Sequence, residues 1–221
     1  DRNMFCFQCE QTAGCSACTG NAGVCGKKAD TANLQDQLTG ALIGLAKDIN
    51  GNEKLMTEAT DKLVVEGLFS TLTNVNFNDA TLSAFIEKIA AEPYPMKELW
   101  NANEDIRSLK SLILFGIRGL AAYAYHAKVL GYQNAEINRF FYKALSAIGM
   151  DDWGMEELLP IVMEVGEINL KCMALLDKAN TETYGNPVPS EVSLTVEKGP
   201  FIVISGHDLY DLKQLLEQTE G

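Results

Sequence analysis

Residues 104–130 read EDIRSLKSLILFGIRGLAAYAYHAKVL, and their periodicity decides the fold class. Ile106, Leu109, Ile113, Ile117, Leu120 and Ala124 recur every three or four positions, the spacing of one helical face. Leu112, Phe115 and Tyr123 add apolar surface elsewhere, as in a deeply buried helix. Gly116 and Gly119 would weaken an isolated helix, so their presence predicts close approach by a neighbouring one. Gly131 supplies the stop. Arg118 interrupts the greasiest stretch, residues 112–125, and no apolar run reaches the roughly 18–20 residues of a membrane span.

The same grammar extends in both directions. Upstream, Asp30 or Thr31 can cap a helix carrying Leu34, Leu38, Leu42 and Leu45, which Gly51 ends. A second helix is expected over about 52–72, then a short one capped by Asp79 and carrying Leu82, Phe85, Ile86 and Ile89. Pro93 and Pro95 break the chain again. Downstream, helices are expected over about 134–148 and 155–179, with Pro160 tolerable only in a first turn or at a kink. Together these predict a mainly α chain built on an antiparallel helical bundle.

After residue 183 the pattern changes. Residues 184–189 read as a linker, Val192-Ser-Leu-Thr-Val196 alternates like a strand, and Phe201-Ile-Val-Ile-Ser205 resembles a buried parallel strand. Asp208 can then cap a helix carrying Leu209, Leu212, Leu215 and Leu216. A strand, a turn and a helix make the opening of a Rossmann-like α/β unit that residues up to Gly221 do not complete. The expectation is a chain cut short, or one that needs a companion. The predicted organisation is a Cys-rich loop over 1–29, a helical bundle over 30–183, and a linker with the start of an α/β domain over 184–221.

Composition bounds the function. The 221 residues carry a net charge of −12 and a pI near 4.6, and 47% are hydrophobic. That is enough for a sizeable core, and an acidic surface disfavours nucleic acid. The first residues hold no apolar signal core. A cytoplasmic protein without membrane or nucleic-acid partners is the default.

Five of the six cysteines, Cys6, Cys9, Cys15, Cys18 and Cys25, lie within twenty positions, whereas Cys172 sits on a helical apolar pattern as a small core residue. A disulfide scaffold would spread them along a secreted chain, so a local metal site is expected. Two Cys-x2-Cys knuckles could hold zinc, but only five residues separate them. Compact, asymmetric spacing over Cys6, Cys9, Cys18 and Cys25, in a loop rich in glycine, favours an iron–sulfur cluster. Cys15 remains an alternative to Cys18 as third ligand, and reactive free thiols a further reading. Lys27 and Lys28 could stabilise thiolates or be plain solvated charges. Of the two histidines, His126 near the end of a helix reads as structural. His207, at the carboxyl end of the expected strand, reads equally as a site residue or a turn residue.

Several motifs together carry a resemblance. Met4-Phe-Cys-Phe-Gln-Cys-Glu-Gln-Thr12, Gly23-Val-Cys-Gly-Lys27, Leu34-Gln-Asp36 and Phe69-Ser-Thr-Leu-Thr-Asn-Val-Asn-Phe77 occur in order. His126-Ala-Lys-Val-Leu-Gly131, Ile204-Ser-Gly-His-Asp-Leu-Tyr-Asp-Leu212 and Leu215-Leu-Glu-Gln-Thr219 follow. The series resembles the N-terminal portion of the hybrid-cluster proteins, also called prismane proteins or hydroxylamine reductases. The resemblance implies a cubane-type 4Fe–4S cluster on Cys6, Cys9, Cys18 and Cys25, in an otherwise helical domain. It also implies a hybrid iron–sulfur–oxygen cluster where that domain meets two Rossmann-like domains, with His207 as its one ligand here. The remaining ligands of that cluster have no match in the chain, Cys172 included, and the region between Phe77 and Glu104 is shorter than in members with a second bundle.

The function so implied is electron relay from the first cluster to the hybrid one, which reduces hydroxylamine to ammonia, or nitric oxide, with a redox donor as partner. Asp208 reads as a helix cap rather than a catalytic acid. An electron-transfer or assembly module without its own catalysis, a zinc-stabilised interaction domain, and a carbon monoxide dehydrogenase relative are the alternatives.

Overall fold

The computed structural model describes residues 4–9, 17–73 and 75–220. The chain divides into two compact units, one ending at Asn186 and the other beginning at Pro187.

The first unit is helical. It comprises α1 (Ala29–Ile49), a 3₁₀ turn (Glu53–Leu55), α2 (Glu58–Ser70), α3 (Asp79–Glu87) and α4 (Met96–Asn101). These are followed by α5 (Glu104–Val129), α6 (Ala135–Ile148) and α7 (Met155–Tyr184). Sharp boundaries come from side chains that satisfy the orphan N–H groups of each first turn. Thr57 and Thr60 form a reciprocal capping box on α2, and Asn103 and Asn134 accept from the first turns of α5 and α6. Gly131, with φ of 86°, closes α5 in a Schellman turn: Tyr132 N donates to Ala127 O and Gly131 N to Lys128 O.

Three expected starts move. α1 begins after Lys28, leaving Asp30 in the first turn and Thr31 buried, because the Thr31 hydroxyl donates to Asp79 at 2.7 Å. That bond occupies the Asp79 carboxylate, and Asn78 caps α3 instead. The expected helix over 52–72 starts only at Glu58, since the 3₁₀ turn takes up the residues before it. α7 also runs past its expected end, to Tyr184, and holds Pro160 in its second turn.

The core gathers where α5 meets α2 and α7, and where α1 meets α6 and α3. Leu38, Leu42, Leu68, Ile113, Ile117 and Leu145 are all but fully buried there. Gly116 is required by this packing, because a Cβ would stand 2.5 Å from Val165 Cγ1 on α7. Gly119 is not, for nothing lies within 4 Å of its Cβ position. Cys172 is a core residue, its thiol pushed up to about 11 by burial.

The second unit holds α8 (Leu209–Gln218), capped as expected by Asp208, whose carboxylate accepts from Tyr210 N and Asp211 N. The expected strands over 192–196 and 201–205 are not strands here. Both segments are exposed, with Leu194 at 99%, and they pair with nothing among the described residues. A strand needs a neighbour to take its N–H and C=O groups, and apolar β-branched residues do not form one alone. No helix among the described residues is long and apolar enough to cross a membrane.

Candidate metal centre

Cys6 and Cys18 stand side by side in an isolated antiparallel bridge: Cys6 N donates to Cys18 O at 3.1 Å and Cys18 N to Cys6 O at 2.8 Å. A second bridge joins Ala22 and Lys28, and within it Gly23 N donates to Lys27 O at 2.8 Å. The turn between presents Cys25, and Gly26, at φ 83°, takes its left-handed position. Gly23 is closely packed as well, for a Cβ there would stand 3.2 Å from Met4 Cε and 3.5 Å from Cys25 Sγ. Aromatic side chains tie the loop to the bundle. Phe5 and Phe7, on either side of Cys6, pack on the Trp100 ring at 4.6 and 4.7 Å.

Cys6, Cys9, Cys18 and Cys25 all line one cavity of about 200 Å³, together with Met4, Gln8, Gly23, Val24, Lys27 and Thr73. Cys6 and Cys18 are buried, Cys9 is half-buried and Cys25 is exposed. Cys15 lies outside the described residues. The volume is several times the roughly 30 Å³ that a water molecule takes in the liquid, so a polyatomic group fits. Among the described residues no three cysteines, histidines or carboxylates already gather as a single-ion site. Four thiols set around a cavity match the donor set of an iron–sulfur cluster, in which each iron takes its own thiolate.

The lysine that lines the cavity is buried as well. Lys27 is 2% exposed, and Nζ donates to Gln8 Oε1 at 3.1 Å and to Cys6 Sγ at 4.0 Å, while Lys28 is exposed. Of the two lysines, Lys27 is the one that meets a thiol among the described residues. Gln8 passes the chain on, donating from Nε2 to Asp36 Oδ1 at 3.3 Å and accepting from the Thr73 hydroxyl at its backbone oxygen. Burial pushes the Cys6 thiol up; the backbone N–H of Gln8 and the charge of Lys27 pull it back, and Asp36 and Cys18 push it further up. A metal must displace that proton. Arg118 of α5 is fully enclosed, and burial pulls its guanidinium down to about 10.

Asp36 is partly buried, and desolvation raises its carboxyl to about 6 despite the opposing pull of Arg118, Gln8 and Lys27. The folded chain therefore holds this proton more tightly than the unfolded one. No penalty arises below about pH 4, where both states are protonated. Folding then loses stability as the pH rises through 6, on the order of 2 kcal/mol after solvent screening. Asp36→Asn is expected to leave stability unchanged at pH 4 and raise it by about 1–2 kcal/mol at pH 7.5, as read by urea unfolding. A loss at pH 7.5 would mean that the carboxylate is net favourable there.

His207 belongs to the second unit, exposed next to Gly206, and its backbone N–H donates to Ser205 Oγ at 3.3 Å. The cysteine cavity forms in the first unit, without it. His126 makes edge contact with the Phe69 ring at 5.6 Å, as suits a structural residue. Gln8 and Asp36 entered the sequence analysis only inside the motifs that carry the resemblance, and Arg118 only as a charge amid an apolar helix; none was given a part in the site.

Residues 4–221 match the family model described as Prismane/CO dehydrogenase family. A hydroxylamine reductase of Clostridium novyi is 40% identical, with 99% of this chain and 46% of that protein aligned. One from Porphyromonas gingivalis is 42% identical, over 100% and 47%, and one from Methanosarcina mazei 40%, over 99% and 46%. The chain thus spans about half the length of the curated relatives it matches.

Proposed function

Since the chain belongs to the Prismane/CO dehydrogenase family, we propose that it is the N-terminal cluster-binding region of a hydroxylamine reductase-like oxidoreductase, with Cys6, Cys9, Cys18 and Cys25 holding a 4Fe–4S cluster. The observation that carries this reading is the convergence of those four thiols on one cavity beside a buried lysine. When bound, such a cluster supplies reversible one-electron transfer. The chain's residues do the rest. Cys6 and Cys18, locked by their paired backbone hydrogen bonds, keep two thiolates at a fixed spacing away from water. Lys27 offsets their negative charge, and the exposed Cys25 leaves one side open to arriving electrons.

In the same reading residues 1–29 are the cluster loop, 30–183 the bundle, and 184–221 a linker and the opening of a Rossmann-like domain. The segment 201–205 becomes a strand once a sheet offers it a neighbour. His207 presents a ring nitrogen to a hybrid iron–sulfur–oxygen cluster whose other ligands come from the remainder of the protein or a companion chain. The substrates are hydroxylamine or nitric oxide, the partner a redox donor, and the compartment the cytoplasm.

Iron, acid-labile sulfide and zinc per chain, on protein purified without oxygen, test the reading. Roughly four irons and four sulfides are expected, and His207→Ala should leave both unchanged while abolishing hydroxylamine reduction by the complete protein. Zinc without sulfide would overturn the cluster. Redox cycling without turnover of hydroxylamine or nitric oxide by the complete protein would reduce the function to electron transfer.

A further inference from the structure

Arg118 sits mid-way along α5 at 2% exposure. Its Nε donates to Thr71 Oγ1 and its Nη2 to Thr39 Oγ1, each at 3.0 Å. Both acceptors are neutral, and each passes its own proton to a helix carbonyl, Thr71 to Leu68 O and Thr39 to Gln35 O. Among the described residues no carboxylate lies within ion-pair distance of the guanidinium. A buried cation whose hydrogen bonds go only to hydroxyls, with the Phe115 ring 5.9 Å away, is costly, and proteins keep one where an opposite charge answers it.

The surroundings indicate where that charge belongs. Thr71 lies two residues before Thr73, which lines the cysteine cavity. Arg118 interacts electrostatically with both Cys6 and Asp36. Lys27, another buried cation, reaches the cysteine cavity, and Gln8 links it to Asp36. Two buried cations thus face one carboxylate, which leaves positive charge in excess. An iron–sulfur cluster on four thiolates is anionic and becomes more so on reduction.

We propose that Arg118 is a positioning residue for the cluster site: buried on the Thr71 and Thr39 hydroxyls, it supplies the fixed counter-charge that raises the reduction potential of the group held by the four cysteines. The inference rests on the iron–sulfur reading. It gives Arg118 and Asp36 opposite signs. Loss of the cation makes an added electron less favourable, and loss of the anion makes it more so. Asp36, raised only to about 6, is ionised at pH 8.

The test is a redox titration at pH 8, followed by visible absorbance and electron paramagnetic resonance, on the full chain and on Arg118→Gln, Arg118→Lys and Asp36→Asn. All are loaded with iron and sulfide without oxygen, and their iron and sulfide contents are measured. Arg118→Gln is expected to cut the reduced-to-oxidised ratio at the wild-type midpoint at least tenfold, a downward shift of about 59 mV for a one-electron couple. Arg118→Lys should stay within threefold of wild type, and Asp36→Asn should shift the ratio upward. A purely structural role would impair loading in both arginine variants and predict no upward shift in Asp36→Asn. An Arg118→Gln potential within threefold of wild type overturns the proposal. If that variant does not load, Asp36→Asn decides: an upward shift supports the counter-charge, and no shift overturns it. Absence of iron and sulfide from the unchanged chain overturns the cluster reading, and this inference with it.

Discussion

Cys18→Ser is expected to empty the proposed metal centre, taking iron and sulfide from the roughly four each per chain that the proposed cluster requires to well under one. Cys18 is buried, and its backbone is fixed to Cys6 by two hydrogen bonds of 2.8 and 3.1 Å, which hold its thiol at the cavity. A serine hydroxyl keeps the bridge and the shape. It is a hard oxygen donor that holds its proton near neutral pH, and soft thiolate is what iron–sulfur assembly selects. The visible absorbance of the loaded protein should vanish while the helical circular dichroism of the bundle stays. Cys15→Ser should leave the iron content unchanged. The reverse pattern, with Cys15 essential and Cys18 dispensable, would assign the third ligand to Cys15.

The second large effect concerns stability. Gly40 and Gly44 lie one turn apart on the face of α1 that meets residues 92–94. A Cβ on Gly44 would stand 2.0 Å from Glu92 O, and one on Gly40 2.3 Å from Tyr94 O. Tyr94 N also donates to Gly40 O at 2.9 Å, so the two backbones are fastened where they touch. The obstacle is backbone in both cases, and no rotamer change relieves it. Alanine would gain about 1 kcal/mol in helix propensity. Separating the segments forfeits the Tyr94 hydrogen bond and the burial of its ring, so Gly44→Ala is expected to cost a net of about 3 kcal/mol or more. Gly119→Ala is the control: with nothing within 4 Å and α-helical backbone, it should stabilise by about 0.5–1 kcal/mol. Urea unfolding of the three proteins measures both, and a cost under about 1 kcal/mol for Gly44→Ala would refute the close approach.

The order of helices was legible because it is local. Leucines and isoleucines three and four apart declare a helical face, and a left-handed glycine such as Gly131 declares its end, wherever the chain later goes. The cysteine loop was legible for the same reason. Cys6, Cys9, Cys18 and Cys25 fall in one short segment, so the loop brings them together with little help from the bundle. The caps were less legible. Asp79 and Asn78 are both good N-caps, and the choice fell to Asn78 once Thr31, forty-eight residues away, had engaged Asp79.

Residues alone determined a mainly α chain with a cluster of thiols at one end. Only tertiary structure decided which charges serve that cluster. Lys27 and Lys28 are neighbours in sequence, yet one is buried against Cys6 and the other is exposed. Arg118 reads in sequence as a flaw in an apolar helix, and folding buries it on hydroxyls from α1 and from the end of α2. The segment 201–205, expected as a strand, is the converse case: its residues suit a sheet, but a ladder exists only between segments. Periodicity and spacing act over a few residues and can be read in order. Burial of charge and pairing of backbone depend on what arrives from elsewhere in the chain, and so are settled only by packing.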